Sequence, residues 1–462
     1  MRIRFRRYAW SGIFNRRSDT VTAKDSNQPI AVGPEGDRAR DPRTFLSRLF
    51  RSITKPGTTA AAPARAADVI ARCRALLSER GEVSGARLAS EVIEAYTSLP
   101  PGEREAFFDF LANQLSVDPD SVDQAAAAYR DDRSWLNLSR LQASVEASRQ
   151  ELFRRINMGT GGTAMLVNMR REWIVTLPDH PERSALDADL LHLLKSWFNR
   201  GFLVLQRIDW RTSALVLERL IRYEAVHQIQ GWRDLHRRLE ADRRCYAFFH
   251  PTLPDEPLVF IEVALTRGLS AQIQPLLDPD SALLDPLRAD TAVFYSITNC
   301  QEGLRGVSFG NFLIKQVVED LGKELTGLRT FATLSPIPGF RQWLQTEMKI
   351  DPASQSRDEV IRLCARYLLH AKRGRVPADP VARFHLANGA KLERLNWMGD
   401  TSAAGTERSF GLTANYVYQL RNVERNHEAY ARDFKVVASP TLERLAMNPG
   451  ARRARSQEGK QR

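Results

Sequence analysis

The stretch VFYSITNCQEGLRGVSFGNFLIKQVV, Val293 to Val318, passes from an apolar alternation through a glycine-bearing turn into a helical pattern. A second apolar run, LRTFATLSP, follows the helix. Strand, helix and strand joined by so short a crossover place the two strands parallel, with the helix packed on one face of the sheet. The turn Arg305-Gly306-Val307-Ser308-Phe309-Gly310 stands where the strand ends and where a helix beginning at Asn311 would present its positive end. Successive backbone N–H groups in such a turn converge on an anion, most often a phosphate. No Lys-Ser/Thr pair follows, so this is not a nucleotide-triphosphate loop, and the GxGxxG of dinucleotide folds is absent. A tight turn without ligand is the structural alternative.

The rest of the chain sorts around that unit. RRCYAFFHPTLPDEPLVFIEVALT reads as an antiparallel hairpin with a Pro-rich turn. From Asp68 to Trp173 apolar residues recur at three and four, and strand signals are nearly missing. We therefore expect a basic, loosely attached segment over 1–66, a helical domain over 67–176, and a boundary at the Pro-rich TLPDHPERS, Thr176–Ser184. A catalytic domain over 185–445 and a basic tail over 446–462 complete the division. Residues 1–65 hold 14 Lys/Arg against 5 Asp/Glu, and residues 446–462 hold 5 against 1. The ends thus exceed the net charge of +12 and leave the body near neutral. Charge confined to the ends argues for solvated tails over a nucleic-acid or membrane surface.

The 4 cysteines form no CxxC pair and the 8 histidines no HxxxH, so no metal is expected and the thiols suit a reducing compartment. The basic N-terminus lacks the apolar core of a secretory signal, which leaves a mitochondrial-type presequence open. No Ser-Lys-Leu ends the chain, which argues against peroxisomes. Cytoplasmic placement is the expectation.

An Arg-x-x-Gly-x-Gly turn between strand and helix resembles the pyrophosphate loop of the GNAT acyltransferases, with Ser308 in place of the first glycine. FFHPTLPDEPLVFIEVALT, FYSITNCQEGLRGVSFGNFLIKQVV, LSPIPGFRQWL, RFHLANGAKLERLNWMGD and GLTANYVY, in that order, resemble the malonyl-CoA decarboxylase family. The resemblance runs with gaps from LFRRINMGTGGTAMLVNMRREW to about Tyr418. It implies an α+β chain: an N-terminal all-helical domain followed by a GNAT-like mixed-sheet α/β catalytic domain. It also implies conversion of malonyl-CoA to acetyl-CoA and carbon dioxide, with no cofactor beyond the coenzyme A of the substrate. Assembly as a homo-oligomer, dimer or tetramer, is implied too, with no nucleic-acid or membrane partner.

Decarboxylation leaves a thioester enolate, which needs hydrogen-bond donors at its oxygen and an acid to protonate C2. Aligning FYSIT with the family motif places Thr298 at its serine position, and Ser296 faces the same side if the strand alternates. His385 in RFHLANGA matches the family's histidine; His250 reads as a turn residue. The resemblance assigns Ser270, Ala271, Gln272, Ile273 and Gln274 to the acyl pocket, and Arg305, Gly306, Val307, Ser308, Phe309 and Gly310 to coenzyme A. Asn388, Asn396, Trp397 and Asn415 lie in matching stretches without a role. Pro336 and Pro338 shape a turn. The competing readings are an acyltransferase using the same loop and a non-catalytic acyl-CoA-binding protein.

Overall fold

Helical spacing persists through the first third of the described chain. The computed structural model describes residues 65–307, 309, 313–351 and 354–447. The expectations for the basic segment up to residue 64 and the tail from 448, and for Ser308, Gly310 and the helix start at Asn311, lie outside the described residues.

Helices α1 (Ala66–Ser78), α2 (Glu82–Thr97), α3 (Pro101–Asp109), α4 (Pro119–Asp131), α5 (Trp135–Ser144), α6 (Ser148–Met158) and α7 (Gly162–Ile174) form a helical region. Local chemistry sets several starts: the Asp118 carboxylate and the Ser134 hydroxyl cap α4 and α5, each accepting a backbone N–H of the first turn. Val69, Cys73, Val92, Phe107, Leu152 and Leu166 meet at the centre of the region, all fully buried. Helix α8 (Ser184–Trp197) follows the Pro-rich stretch and packs back on α6, where Arg149 pairs with Asp189 at 2.6 Å.

The mixed sheet is built from β1 (Val204–Ile208), β2 (Arg243–Phe249), β3 (Val259–Thr266), β4 (Thr291–Asn299), β5 (Thr330–Thr333), β6 (Ser335–Pro336), β9 (Lys391–Asn396) and β10 (Thr413–Val417); the residues before β9 add a separate two-stranded ribbon, β7 (Lys372–Arg373) with β8 (Val376–Pro377). The strand order is β1-β2-β3-β4-β5-β10-β6, with β9 on β10. The expected hairpin is β2 against β3. The expected parallel pair is β4 against β5, joined through α11 (Leu313–Glu324). Helices α9 (Ala214–Tyr223) and α10 (Trp232–Arg238) cover one face, where Leu217, Leu220 and Leu235 meet Cys245 and Phe260. The helical region and α11 lie on the other, so a helical region is followed by a mixed sheet, as expected. No helix among the described residues is long and apolar enough to cross a membrane.

The helical region reaches the loop after β4 through one buried side chain. Arg170 of α7 donates from Nη1 to the carbonyls of Gly303 and Arg305, both at 2.7 Å, and from Nε to Asp187 at 2.8 Å. Gly303 lies so close to α7 that a Cβ there would sit 1.9 Å from the Val167 carbonyl oxygen. Backbone against backbone cannot give way cheaply. Gly303→Ala is expected to cost about 1–3 kcal/mol of stability, within the range for overpacking, read as a lower urea midpoint. An unchanged midpoint would mean that α7 does not press on this loop.

Candidate active site

Parallel pairing of β4 and β5 runs from Thr291 and Thr330 to Phe294 and Thr333, closed by the Leu334 N–H donating to the Phe294 carbonyl at 3.0 Å. Beyond that point β4 continues with β3 alone, while the other strand, already paired with β10 at Ala332, stays on β10 as β6. A cavity of about 380 Å³ borders both strands past their last shared bond. Ser296 lines it from β4 and Ser335 with Pro336 from β6, while His385 comes from α12 (Pro380–Ala387). Ile261, Phe294, Val307, Phe309, Leu313 and Phe384 make most of its wall apolar, and no charged side chain lines it among the described residues.

The β4 hydroxyls owe their direction to a bulge. Glu262 pairs with Ser296 and Val263 with Phe294, so Tyr295 is the extra residue. The register shift turns Ser296 and Thr298 to the face of Glu262 and Phe260, under α9 and α10. There Ser296 Oγ donates to Glu224 at 2.8 and 3.0 Å, and Thr298 Oγ1 lies 3.4 Å from the same carboxylate and 3.3 Å from Ser296 Oγ. Glu224 ends α9 and also accepts the N–H groups of Val226 and His227, both at 2.7 Å. Beside it, Arg238 and Glu262 form an ion pair at 2.5 Å, both fully buried.

Across the cavity His385 is 4% exposed, and both ring nitrogens have protein partners. Nδ1 lies 2.8 Å from the Tyr418 hydroxyl and Nε2 3.0 Å from Ser335 Oγ, with Tyr416 stacked on the ring at 4.7 Å. Burial pushes the imidazole down to about 3, so it is neutral at any working pH.

The structure therefore brings Ser296, His385, Val307 and Phe309 to one cavity. Thr298 stands behind Ser296 and is not part of the wall. Gly306 takes φ +86, the left-handed region, and Arg305 is fixed through its carbonyl by Arg170. The segment Ser270–Gln274 lies elsewhere, outside the cavity wall. The Ser270 carbonyl accepts from Arg394 and Asn415 at 3.3 and 3.1 Å, Ile273 N–H donates to the Gly399 carbonyl at 2.8 Å, and Gln274 donates to Asp400 at 3.0 Å. The side chains of Ala271 and Gln272 are exposed. His250 bridges Thr252 and the Trp197 carbonyl, a structural tie at a turn. Asn396 and Asn415 bond to each other at 2.9 Å, Asn388 closes α12 on the Phe384 carbonyl, and Trp397 meets Arg357. Sequence reasoning missed Glu224, Ser335 and Tyr418. The last two lay inside stretches singled out for resemblance, but nothing in their spacing marks them as partners of His385.

Comparison with known proteins covers nearly the whole described chain. The model of the malonyl-CoA decarboxylase C-terminal domain matches residues 201–358 and 351–457, and that of the malonyl-CoA decarboxylase N-terminal domain residues 115–198. The mitochondrial malonyl-CoA decarboxylase of Anser anser anser is 33% identical over 420 residues, 78% of this chain and 83% of the relative. That of Rattus norvegicus is 34% identical over 353 residues, 66% and 72%. The crystal structure of malonyl-CoA decarboxylase from Rhodopseudomonas palustris superposes with a TM-score of 0.79 at 45% identity, covering 83% of this chain and 100% of that one. The Agrobacterium vitis structure gives 0.77 at 44%, covering 82% and 100%.

The neutral, buried imidazole has a consequence for stability. The unfolded chain takes up a proton near the ordinary histidine pKa of about 6.5, whereas folded His385 does not do so until about pH 3. Its contribution to stability is full above the unfolded pKa and is lost as pH falls towards 3, at up to about 1.4 kcal/mol per pH unit. Urea midpoints between pH 4 and 6 are expected to fall less steeply for His385→Gln than for the unsubstituted protein. Identical slopes would mean that His385 titrates normally in the fold.

Proposed function

The chain belongs to the malonyl-CoA decarboxylase family, and from that premise we propose how its own residues carry out the reaction. The enzyme converts malonyl-CoA and a proton to acetyl-CoA and carbon dioxide. The observation that carries the mechanism is the uncharged cavity between β4 and β6, with Ser296 on one wall and the Ser335–His385 pair on the other.

Losing carbon dioxide moves negative charge from the carboxylate to the thioester oxygen. A wall of Ile261, Phe294, Phe309 and Phe384, with no Lys or Arg among the described lining residues, gives the carboxylate no cation to stabilise it. Surroundings that solvate the carboxylate poorly favour the step in which its charge leaves. Ser296 supplies the donor for the enolate oxygen. In the free enzyme its proton points at Glu224, so donation requires the hydroxyl to turn towards the substrate. Glu224 then keeps the two backbone N–H groups and Thr298, which holds the carboxylate in place. The acid that protonates C2 belongs to the His385 group, acting from a neutral imidazole. A carbanion beside a thioester is basic enough for that.

Binding rests on the loop after β4. Arg305 to Gly310 is the proposed seat of the coenzyme A diphosphate; the Arg170 clamp and the left-handed Gly306 support this for the described part. Val307 and Phe309 then lead into the cavity from the loop. We assign the chemistry to protein side chains, without metal or added cofactor. We also keep the expectations of a homo-oligomer and a cytoplasmic setting. The exposed Trp135 and Leu136 of the helical region support the first, and four buried free thiols support the second.

Incubation with malonyl-CoA and no acceptor is expected to yield acetyl-CoA and carbon dioxide in equal amounts. Ser296→Ala should lower kcat about 100-fold or more, the usual loss for one oxyanion donor, and Thr298→Val should lower it less. A larger loss from Thr298→Val would make Thr298 the working hydroxyl.

A further inference from the structure

Both nitrogens of His385 are engaged by side chains, so the ring reaches the substrate only through one of its partners. Thr333 Oγ1 accepts the backbone N–H of Tyr416 at 3.2 Å and the hydroxyl of Ser335 at 2.8 Å. With its own proton on Thr333, Ser335 Oγ faces Nε2 as an acceptor, at 3.0 Å. That places the imidazole proton on Nε2 and leaves Nδ1 to accept from the Tyr418 hydroxyl at 2.8 Å. Of these groups, Ser335 and His385 border the cavity, whereas Thr333 and Tyr418 do not.

We propose that Ser335, rather than the imidazole, is the group that delivers the proton to C2. The inference rests on the decarboxylase reading and adds a catalytic residue to it. The Ser335 O–H turns from Thr333 towards the enolate, whose C2 lone pair takes the proton as the O–H bond breaks. Oγ takes the Nε2 proton of His385, and Nδ1 takes the proton of Tyr418. Once the products leave, Nδ1 returns its proton to the Tyr418 oxygen and Nε2 takes one from solvent entering the cavity that His385 borders, which restores the starting tautomer and balances the proton consumed for each carbon dioxide released. Every group starts and ends neutral. The fit to a buried imidazole is direct, since no step asks it to carry a positive charge.

The reverse proton transfer isolates this step. An enzyme that protonates the enolate also exchanges the methyl protons of bound acetyl-CoA with deuterated water, without any carbon dioxide chemistry. Ser335→Ala is expected to slow that exchange about 100-fold or more, in the range for loss of a general acid. Acetyl-CoA affinity should stay within about threefold, and Ser335→Thr should restore most of the exchange. Exchange by Ser335→Ala close to the unsubstituted rate, while His385→Ala loses it, would overturn the proposal in favour of direct delivery by the imidazole. Should the alanine variant not fold, Ser335→Cys carries the question. A thiol in the delivering position changes the solvent isotope effect on exchange, and an unchanged isotope effect overturns the proposal. Failure of the unsubstituted protein to release carbon dioxide from malonyl-CoA would instead defeat the decarboxylase reading itself, a result distinct from any of these.

Discussion

The parting of two parallel strands is the constraint on which the site depends. While β4 and β5 share bonds they close the sheet, and once Leu334 has made the last one each strand is held only by its neighbour on the far side. Strand β4 keeps β3 and the second strand keeps β10, its neighbour on the other side already at Ala332, so each stays paired along one edge. What opens between them is a slot through a sheet, walled by whichever side chains the strands present. Strand alternation alone would have sent Ser296 to the same face as Phe294. The bulge at Tyr295 reverses that and sets the hydroxyl beside Glu224.

Burying a carboxyl group inside a protein is unfavourable unless hydrogen-bond partners satisfy it. Glu224 meets that condition with two backbone N–H groups and two hydroxyls, and Arg238 with Glu262 meets it as a pair. A partner removed from such a group leaves a desolvated polar atom, at about 1–3 kcal/mol. The polar groups under α9 and α10 therefore fix one arrangement of the β4 hydroxyls. The opposite wall works by exclusion of charge instead: His385 is kept neutral by burial and is oriented by Ser335, Tyr418 and the stacked Tyr416. The helical region contributes at a distance, since Arg170 fixes two carbonyls at the start of the loop that leads into the cavity.

Local pattern made the strand–loop–helix–strand unit and the β2–β3 hairpin legible in the sequence, because each is written in consecutive residues. The family resemblance supplied His385, which chemistry alone would not have picked from the histidines. The missing features are those made by distant segments. Glu224 reaches Ser296 across 72 positions and Ser335 reaches His385 across 50, and no periodicity encodes such pairs. The bulge at Tyr295 is likewise a property of two strands together. For Ser270–Gln274 the resemblance pointed to the acyl group, whereas the segment is bound to the Arg394–Asp400 stretch and to Asn415, outside the cavity wall.

The place of the acyl carrier decides which side chains can reach the reacting carbon. A crystal structure with bound coenzyme A tests this most directly. The expected result is a pantetheine arm running between β4 and β6, its diphosphate at Arg305 to Gly310 and its sulfur within reach of Ser296 and Ser335. A diphosphate seated away from that loop, or an arm that never enters the gap between the two strands, would contradict it.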